Sequence, residues 1–480
     1  ALRETYRPYL GRFVSRADLA AITDDMTRLY REAGYQLSRA IVPPQKIKGG
    51  AIMIQVVEGQ VARIEVNGGG DDPFGIKPIV AVIKDEAPSR LGTIERQLQL
   101  VNDIPGVRIA DIVLEEIGSA TGRFRLVVNV EAWRVYAAQS VDNFGSSAVG
   151  PWQAYSITSL NSYLKSGDTL GVTLSAVPDH IHELRYGRLS YDVPIGIDGA
   201  RIGASTSYSQ VWPSDQRRLI DTRDQTESTE VRASIAPLLT RTSQLRLTAT
   251  GTFTDASERT SFGTSYSDHV RMVGLSADFK LQDNLDGLNY MTLGWRKGLD
   301  VLGASRLGDD LNSRSDASGT FSAFNYAFTR FQKLSDAWSL KLSANGQWTS
   351  DALLLSQQFF LGASAFGPGY YNRDNGVTGL AELRFEQMLD HAFFKGYQLY
   401  GFVDGGRVWD FRGIHDNVAT LSSAGFGVRL NLADQLQAAV SFAAPIHHSP
   451  VGTVVDDYRI LFSISNFIKL CPERAEMRCS

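Results

Sequence analysis

The chain has 480 residues, of which 48 are Lys or Arg and 52 are Asp or Glu, giving a formal net charge of −4. So even a balance points to neither nucleic acid nor an acidic membrane surface as partner. A content of 43% hydrophobic and 21% charged residues excludes a disordered or collagen-like chain. No apolar run approaches the ~18 residues of a membrane helix, but alternating membrane strands escape that exclusion because their two faces average out.

Residues 1–11 hold no leader core, since Arg3, Glu4 and Arg7 interrupt it, so the chain reads as either cytoplasmic or already processed. From Ser15 to Gly34, Leu19, Ile22, Met26, Leu29 and Tyr30 recur mostly at spacings of three and four. With Ser15 as N-cap three residues before Asp18, and Gly34 as terminator, this predicts a helix. Strands are expected over 51–57 and 61–66, helices over 76–83 and 93–101, a turn at Pro105-Gly106, and strands over 109–115 and 124–130. These make two small α+β modules in tandem, 1–59 and 60–132. Gly68-Gly69-Gly70 before Asp71-Asp72 lacks the Lys of a phosphate loop and reads as a strand-to-helix turn.

After Trp133 the helical period gives way to period-two alternation. Leu245, Leu247, Ala249 and Phe253 oppose Arg246, Thr248, Thr250 and Thr252; Leu340, Leu342, Ala344 and Trp348 oppose Lys341, Ser343, Asn345 and Gln347. One face is uniformly apolar and the other is rich in Gly, Ser, Thr and Arg, as when apolar side chains face lipid and polar ones line a wet lumen. Strands are expected at 133–142, 152–160, 168–177, 182–193, 200–211, 227–238, 243–254 and 268–281. A second set is expected at 287–299, 316–330, 336–349, 377–388, 396–409, 419–431, 434–445 and 457–468. Sixteen is an even number, as closure of an antiparallel barrel favours, so 133–468 is expected to form a transmembrane barrel. Its longest gap, residues 350–376, falls on the outer side of the membrane if the N-terminal modules lie in the periplasm.

That gap contains Leu355-Ser356-Gln357-Gln358-Phe359-Phe360-Leu361-Gly362, then Phe366-Gly367-Pro368-Gly369-Tyr370-Tyr371. It resembles the sixth extracellular loop of the two-partner secretion transporters, the haemolysin/haemagglutinin secretion and activation family within the POTRA-barrel outer-membrane superfamily. Leu29 to Tyr35, Pro43-Pro44-Gln45 and Val56-Val57-Glu58-Gly59 are similar to that branch's first POTRA domain, and residues 61–132 to its second. The resemblance implies a sixteen-stranded antiparallel barrel in the outer membrane of a Gram-negative bacterium, preceded by two periplasmic POTRA domains. It implies a translocator that captures a large, β-helical partner protein through those domains and exports it unfolded through the lumen. The other expected partner is outer-membrane lipid, and the chain is expected to be a monomer. An outer-membrane insertase of the same superfamily and a passive ligand-gated porin are the alternatives.

The family's loop Arg, which pairs with an acid on strand thirteen, is replaced by Pro368. The matching acid is Asp404, lumenal by parity with Gln398, Tyr400 and Phe402. Asp404 is therefore expected to dock within the loop tip formed by Gly367, Gly369 and Tyr370, or to pair with Arg373 or with Arg384 of the lumenal stripe Glu382, Arg384 and Glu386. The family's first POTRA domain also opens with a strand, and a plug helix before it, both expected upstream of Ala1. At the other end, 469–480 is expected to be a periplasmic tail in which Cys471 and Cys479 either form a small disulfide loop or remain unpaired.

No catalytic, nucleotide-binding or metal-site motif is found, so neither enzyme activity nor a cofactor is expected. His447-His448 and Asp309-Asp310 read as loop features.

Overall fold

The computed structural model describes residues 2–68, 70–146, 149–389, 391, 393–411, 418–433, 435–449 and 457–470. The tail with Cys471 and Cys479 lies outside the described residues. The N-terminal module opens with a short helix α1 (Leu2–Tyr6), then α2 (Arg16–Glu32). Ser15 and Asp18 cap α2 reciprocally: the Ser15 hydroxyl accepts from Asp18 N–H, and Ser15 N–H donates to the Asp18 carboxylate at 2.8 Å. Ile22 and Met26 are buried beneath α2 against Ala40. Ala40 lies on β1 (Arg39–Ile41), which pairs with β2 (Gln55–Val57). The strand expected over 51–57 is thus shorter, with only an isolated bridge from Ala51 to Lys48 before it. β1 escaped the sequence reading because three residues before Pro43-Pro44 show no period.

The next module is β3 (Gln60–Asn67), α3 (Ile76–Ala81), α4 (Leu91–Asn102), β4 (Val107–Glu116) and β5 (Arg123–Ala132). Its sheet order is β3-β5-β4, with β3 parallel to β5 and β4 antiparallel. Asp72 caps α3 by accepting the N–H groups of Ile76 and Lys77, so the acidic run serves a turn. Val61, Phe74, Ile83, Val101, Leu126 and Val128 fill the core, which also takes in Ala236 and Leu239 from the barrel's rim. Arg246 pairs with Asp103 at 2.5 Å, and Arg96 donates to the carbonyls of Ala236 and Asp198. Between the modules, Arg39 makes two hydrogen bonds to Glu116.

The barrel begins with β6 (Val135–Asp142), β7 (Gln153–Asn161), β8 (Thr169–Ala176), β9 (Leu184–Ile195), β10 (Ala200–Val211) and β11 (Arg223–Leu239). It continues through β12 (Ser243–Thr260), β13 (Gly263–Gln282), β14 (Gly287–Gly298), β15 (Ser322–Lys333) and β16 (Trp338–Thr349). A lumenal hairpin, β17 (Phe359–Ala363) and β18 (Gly367–Arg373), interrupts the order before β19 (Asn375–Met388), β20 (Gly396–Trp409), β21 (Val418–Ala433), β22 (Leu436–His448) and β23 (Arg459–Leu470). Sixteen strands close antiparallel, with β23 pairing β6 from Ser463↔Asp142 to Leu470↔Val135. Each corresponds to one expected from periodicity. β11 and β12 extend outward to Arg223 and Thr260, beyond the expected 227 and 254. Those extensions lie beyond the hydrocarbon layer, where neither face need be apolar, and so they carry no alternation. Leu174, Leu247, Leu275, Leu342, Val403 and Phe426 are exposed on the outer wall, while Glu382, Phe402 and Ser423 are buried on the inner one.

Candidate functional site

Beyond Thr349 the chain turns into the barrel instead of building an outer lobe. Leu353 and Leu354 are fully buried against Val270, Ala317, Phe321 and Ala323, which pins the loop's root. Register Phe359↔Arg373, Phe360↔Asn372 and Leu361↔Tyr371 then forms the hairpin. Its apolar side, Leu361, Ala363, Phe366 and Tyr371, packs on Phe402, Leu421, Ala443 and Leu461 of the wall. Two glycines allow that approach: a Cβ on Gly406 would stand 2.7 Å from the Leu361 side chain, and one on Gly376 would stand 2.1 Å from the Phe359 ring.

At the tip, Asp404 accepts from the backbone N–H of Ser364 at 2.9 Å and from its hydroxyl at 2.6 Å. The Ser423 hydroxyl donates to the other carboxylate oxygen. Among the described residues, Asp404 is thus bonded to Ser364 of the tip and Ser423 of the wall, while Arg373 and Arg384 have other carboxylates as partners. The register explains the difference. Arg373 lies opposite Phe359 at the hairpin's base and is ion-paired with Asp410 at 3.3 Å. Arg384 stands opposite Tyr400, four residues below Asp404, and is held by Glu382. Gly367 and Gly369 both take positive φ, 84° and 67°, so the backbone bends on either side of Pro368. The tip, with Gly367, Pro368 and Gly369, borders a lumenal cavity of about 730 Å³ together with Lys341, Glu382, Asp404, Arg429 and Arg459.

Glu382 is buried and accepts from Arg429 at 2.9 Å, and that guanidinium stacks 3.7 Å from the Tyr400 ring centroid. Glu386, the last member of the stripe, is exposed. The hairpin's base has a hub that sequence reasoning missed. The fully buried Asp374 accepts from Arg314 at 2.6 Å, from Leu353 N–H at 3.0 Å and from Phe411 N–H at 3.2 Å. Gln347 donates to the carbonyls of Gln357 and Asp374 at 3.0 Å. Burial, reinforced by the charge of Asp374, raises the Asp410 pKa despite Arg373 and Arg314 nearby. Gln357-Gln358 in the loop motif was the available signal; Ser364, Ser423, Asp374 and Arg314 had none, because their partners are 19 to 60 residues away. Asp309 accepts the Arg306 N–H within its own loop, and the His448 ring lies 6.1 Å from Phe366.

The profile of the family described as haemolysin secretion/activation protein ShlB/FhaC/HecB matches residues 125–430, and that of the ShlB-type POTRA domain matches 1–59. The chain belongs to this haemolysin secretion/activation family. Among its relatives, the heme/hemopexin transporter protein HuxB of Haemophilus influenzae is 23% identical over 93% of this chain and 81% of that protein. The outer membrane transporter CdiB of Dickeya dadantii is 22% identical over 94% and 81%. The solved structure of CdiB from Escherichia coli shares the fold, with a TM-score of 0.79 at 18% identity over 97% of this chain and 87% of that one. The solved structure of BamA from Haemophilus ducreyi lacking POTRA domains 1–3 shares the fold at a TM-score of 0.54, with 13% identity and 97% of each chain covered. This ShlB-type chain is an outer-membrane transporter that exports a partner protein, its barrel in the outer membrane and its POTRA region in the periplasm.

Proposed function

We propose that the transporter captures its partner as an extended chain on the N-terminal modules and passes it unfolded through a lumen from which the β17–β18 hairpin has first withdrawn. The observation that carries this reading is the pairing of a closed polar lumen with a separate hairpin that packs on the wall by an apolar side and is held at its tip by polar contacts. Asp404 with Ser364, and Ala365 N–H with the Ser423 hydroxyl, are contacts between tip and wall that water or a passing peptide can replace. The β4 edge of the second sheet bears Ile112 and Leu114, both exposed, beside backbone groups to which an added strand can bond without a fixed sequence.

In this reading residues 60–132 are the second POTRA domain, the partner is a large β-helical protein, and the transporter acts as a monomer. Folding outside the cell supplies the directional drive. A photo-crosslinker placed at Ile112 or Leu114 during secretion tests capture. The expected result is an adduct with the protein encoded beside the transporter. Crosslinks only at the barrel's outer loops, with normal export, would refute capture on β4.

A further inference from the structure

The lipid-facing wall is uneven. On its extracellular half, between β6 and β10, lies a groove of about 550 Å³. Two rows of directly paired residues build it: Val141↔Ala154↔Ala176↔Arg185, and Gln139↔Ser156↔Leu174↔Gly187↔Tyr208. Small residues at Ala154, Ser156, Ala176 and Gly187 make a floor between the taller Leu174 and Tyr208. These rows face outward, since Leu174 and Leu189 are 55% and 49% exposed. The alternate residues of β9, Arg188 and Asp192, join Ser205 and Arg232 on the inside. The groove's upper end meets the β8–β9 connection, opposite the rim on which the second module docks.

At that upper end cations gather around one indole. The Arg185 guanidinium lies 5.6 Å from the Trp212 ring and that of Arg223 lies 5.5 Å from it, while the His182 ring is 5.2 Å away. Arg185 also approaches His182 Nδ1 at 2.6 Å. Trp settles at the membrane–water interface, so both guanidiniums stand at headgroup depth above an acyl-sized trough. Of the acids nearby, Asp221 is paired with Arg223 at 2.8 Å and Asp179 with His180 at 3.3 Å, while Glu183 lies beside Gly150. Arg185 makes no ion pair among the described residues, and beyond His182 its donor Nε reaches only the Ile181 carbonyl.

We infer that this is a binding site for one outer-leaflet lipid bearing a phosphate headgroup. An acyl chain lies in the groove over Gly187, and the phosphate rests on Arg185, with Arg223 and His182 beside it. The apolar belt alone accepts any lipid. What selects here is an Arg without a carboxylate partner directly above a trough, because Arg recognises phosphate through two parallel hydrogen bonds. The site is independent of how the lumen opens.

The test uses the full chain, purified in detergent and delipidated, with bisphosphorylated lipid A as probe and phosphatidylcholine as control, bound lipid being counted by native mass spectrometry. Arg185→Glu removes the phosphate contact. Gly187→Leu fills the groove, and its Cβ meets nothing closer than Leu174 at 3.8 Å, so the fold tolerates it. Heat-dependent gel mobility verifies each barrel. The expected result is about tenfold weaker retention of lipid A by Arg185→Glu, the loss typical of a charged hydrogen bond, and weaker retention by Gly187→Leu through the filled groove, with phosphatidylcholine weak and equal throughout. Equal lipid A retention by all three chains would overturn the site. So would displacement of lipid A by millimolar inorganic phosphate, which would leave the groove without a role.

Discussion

Replacing Asp404 by Ala removes three donors' acceptor at once: Ser364 N–H, the Ser364 hydroxyl and the Ser423 hydroxyl. A hydrogen bond to a charged group contributes ~1.5–3 kcal/mol net when buried. Asp404 is only partly buried, and water replaces part of what is lost, so about 2–3 kcal/mol of docking energy should disappear, a shift of about 30- to 150-fold toward the undocked hairpin. The apolar contacts of Leu361 and Phe366 and the Asp374 hub remain, so the barrel itself stays intact. Single-channel recording in planar bilayers should show longer and more frequent large openings, and secretion of the partner should change in parallel. Ser364→Ala keeps its backbone donor and should have a smaller effect, while the double variant should fall short of the sum, because both act on one contact. Asp309→Ala, which disturbs only a local turn, is the control. Wild-type conductance in Asp404→Ala would refute the docking argument and shift the hairpin's anchorage to its base.

Three further outcomes are expected. Arg placed at Leu247 or Leu342, both outward and exposed, should cost about 2–4 kcal/mol of barrel stability, while Arg at Thr248 or Ser343 is mild; equal folded yields would refute the outward assignment. Asp103→Ala should loosen the second module on the barrel's rim by on the order of 1 kcal/mol, because the partner Arg246 keeps access to water. Spin-label distances between α4 and the β11–β12 turn should broaden, and an unchanged distribution would count against the pair. Arg39, and then the Gly122 N–H, hold the Glu116 carboxyl below its usual 4.5. A depressed acid stabilises the folded contact above its unfolded pKa and ceases to as pH falls through the folded value. The tie between the modules should therefore weaken below about pH 4.5, and Glu116→Gln should remove that pH dependence in the same distance measurement.

Alternation over 133–468 determined the barrel, its strand number and the faces of residues such as Leu247, Leu342 and Asp404, because a strand's period of two is a local property that lipid on one side and water on the other impose directly. The helix capped by Ser15 and Asp18 was legible for the same reason, since the contacts that end it span only three to five residues. Asp404 could be placed on the lumenal face by parity, but not given its partner. That choice depended on the hairpin's register, which carries Ser364 to the tip and leaves Arg373 at the base beside Asp410. Asp374 is a single polar residue in the sequence, and only the meeting of Arg314, Leu353 and Phe411 from three separate outer segments makes it a buried hub. The Arg185–Trp212–Arg223 cluster likewise exists only because three successive strand ends are brought side by side at one rim. Local periodicity reports which way a side chain points; which group it meets is decided by loop closure over tens of residues, and no short pattern encodes that.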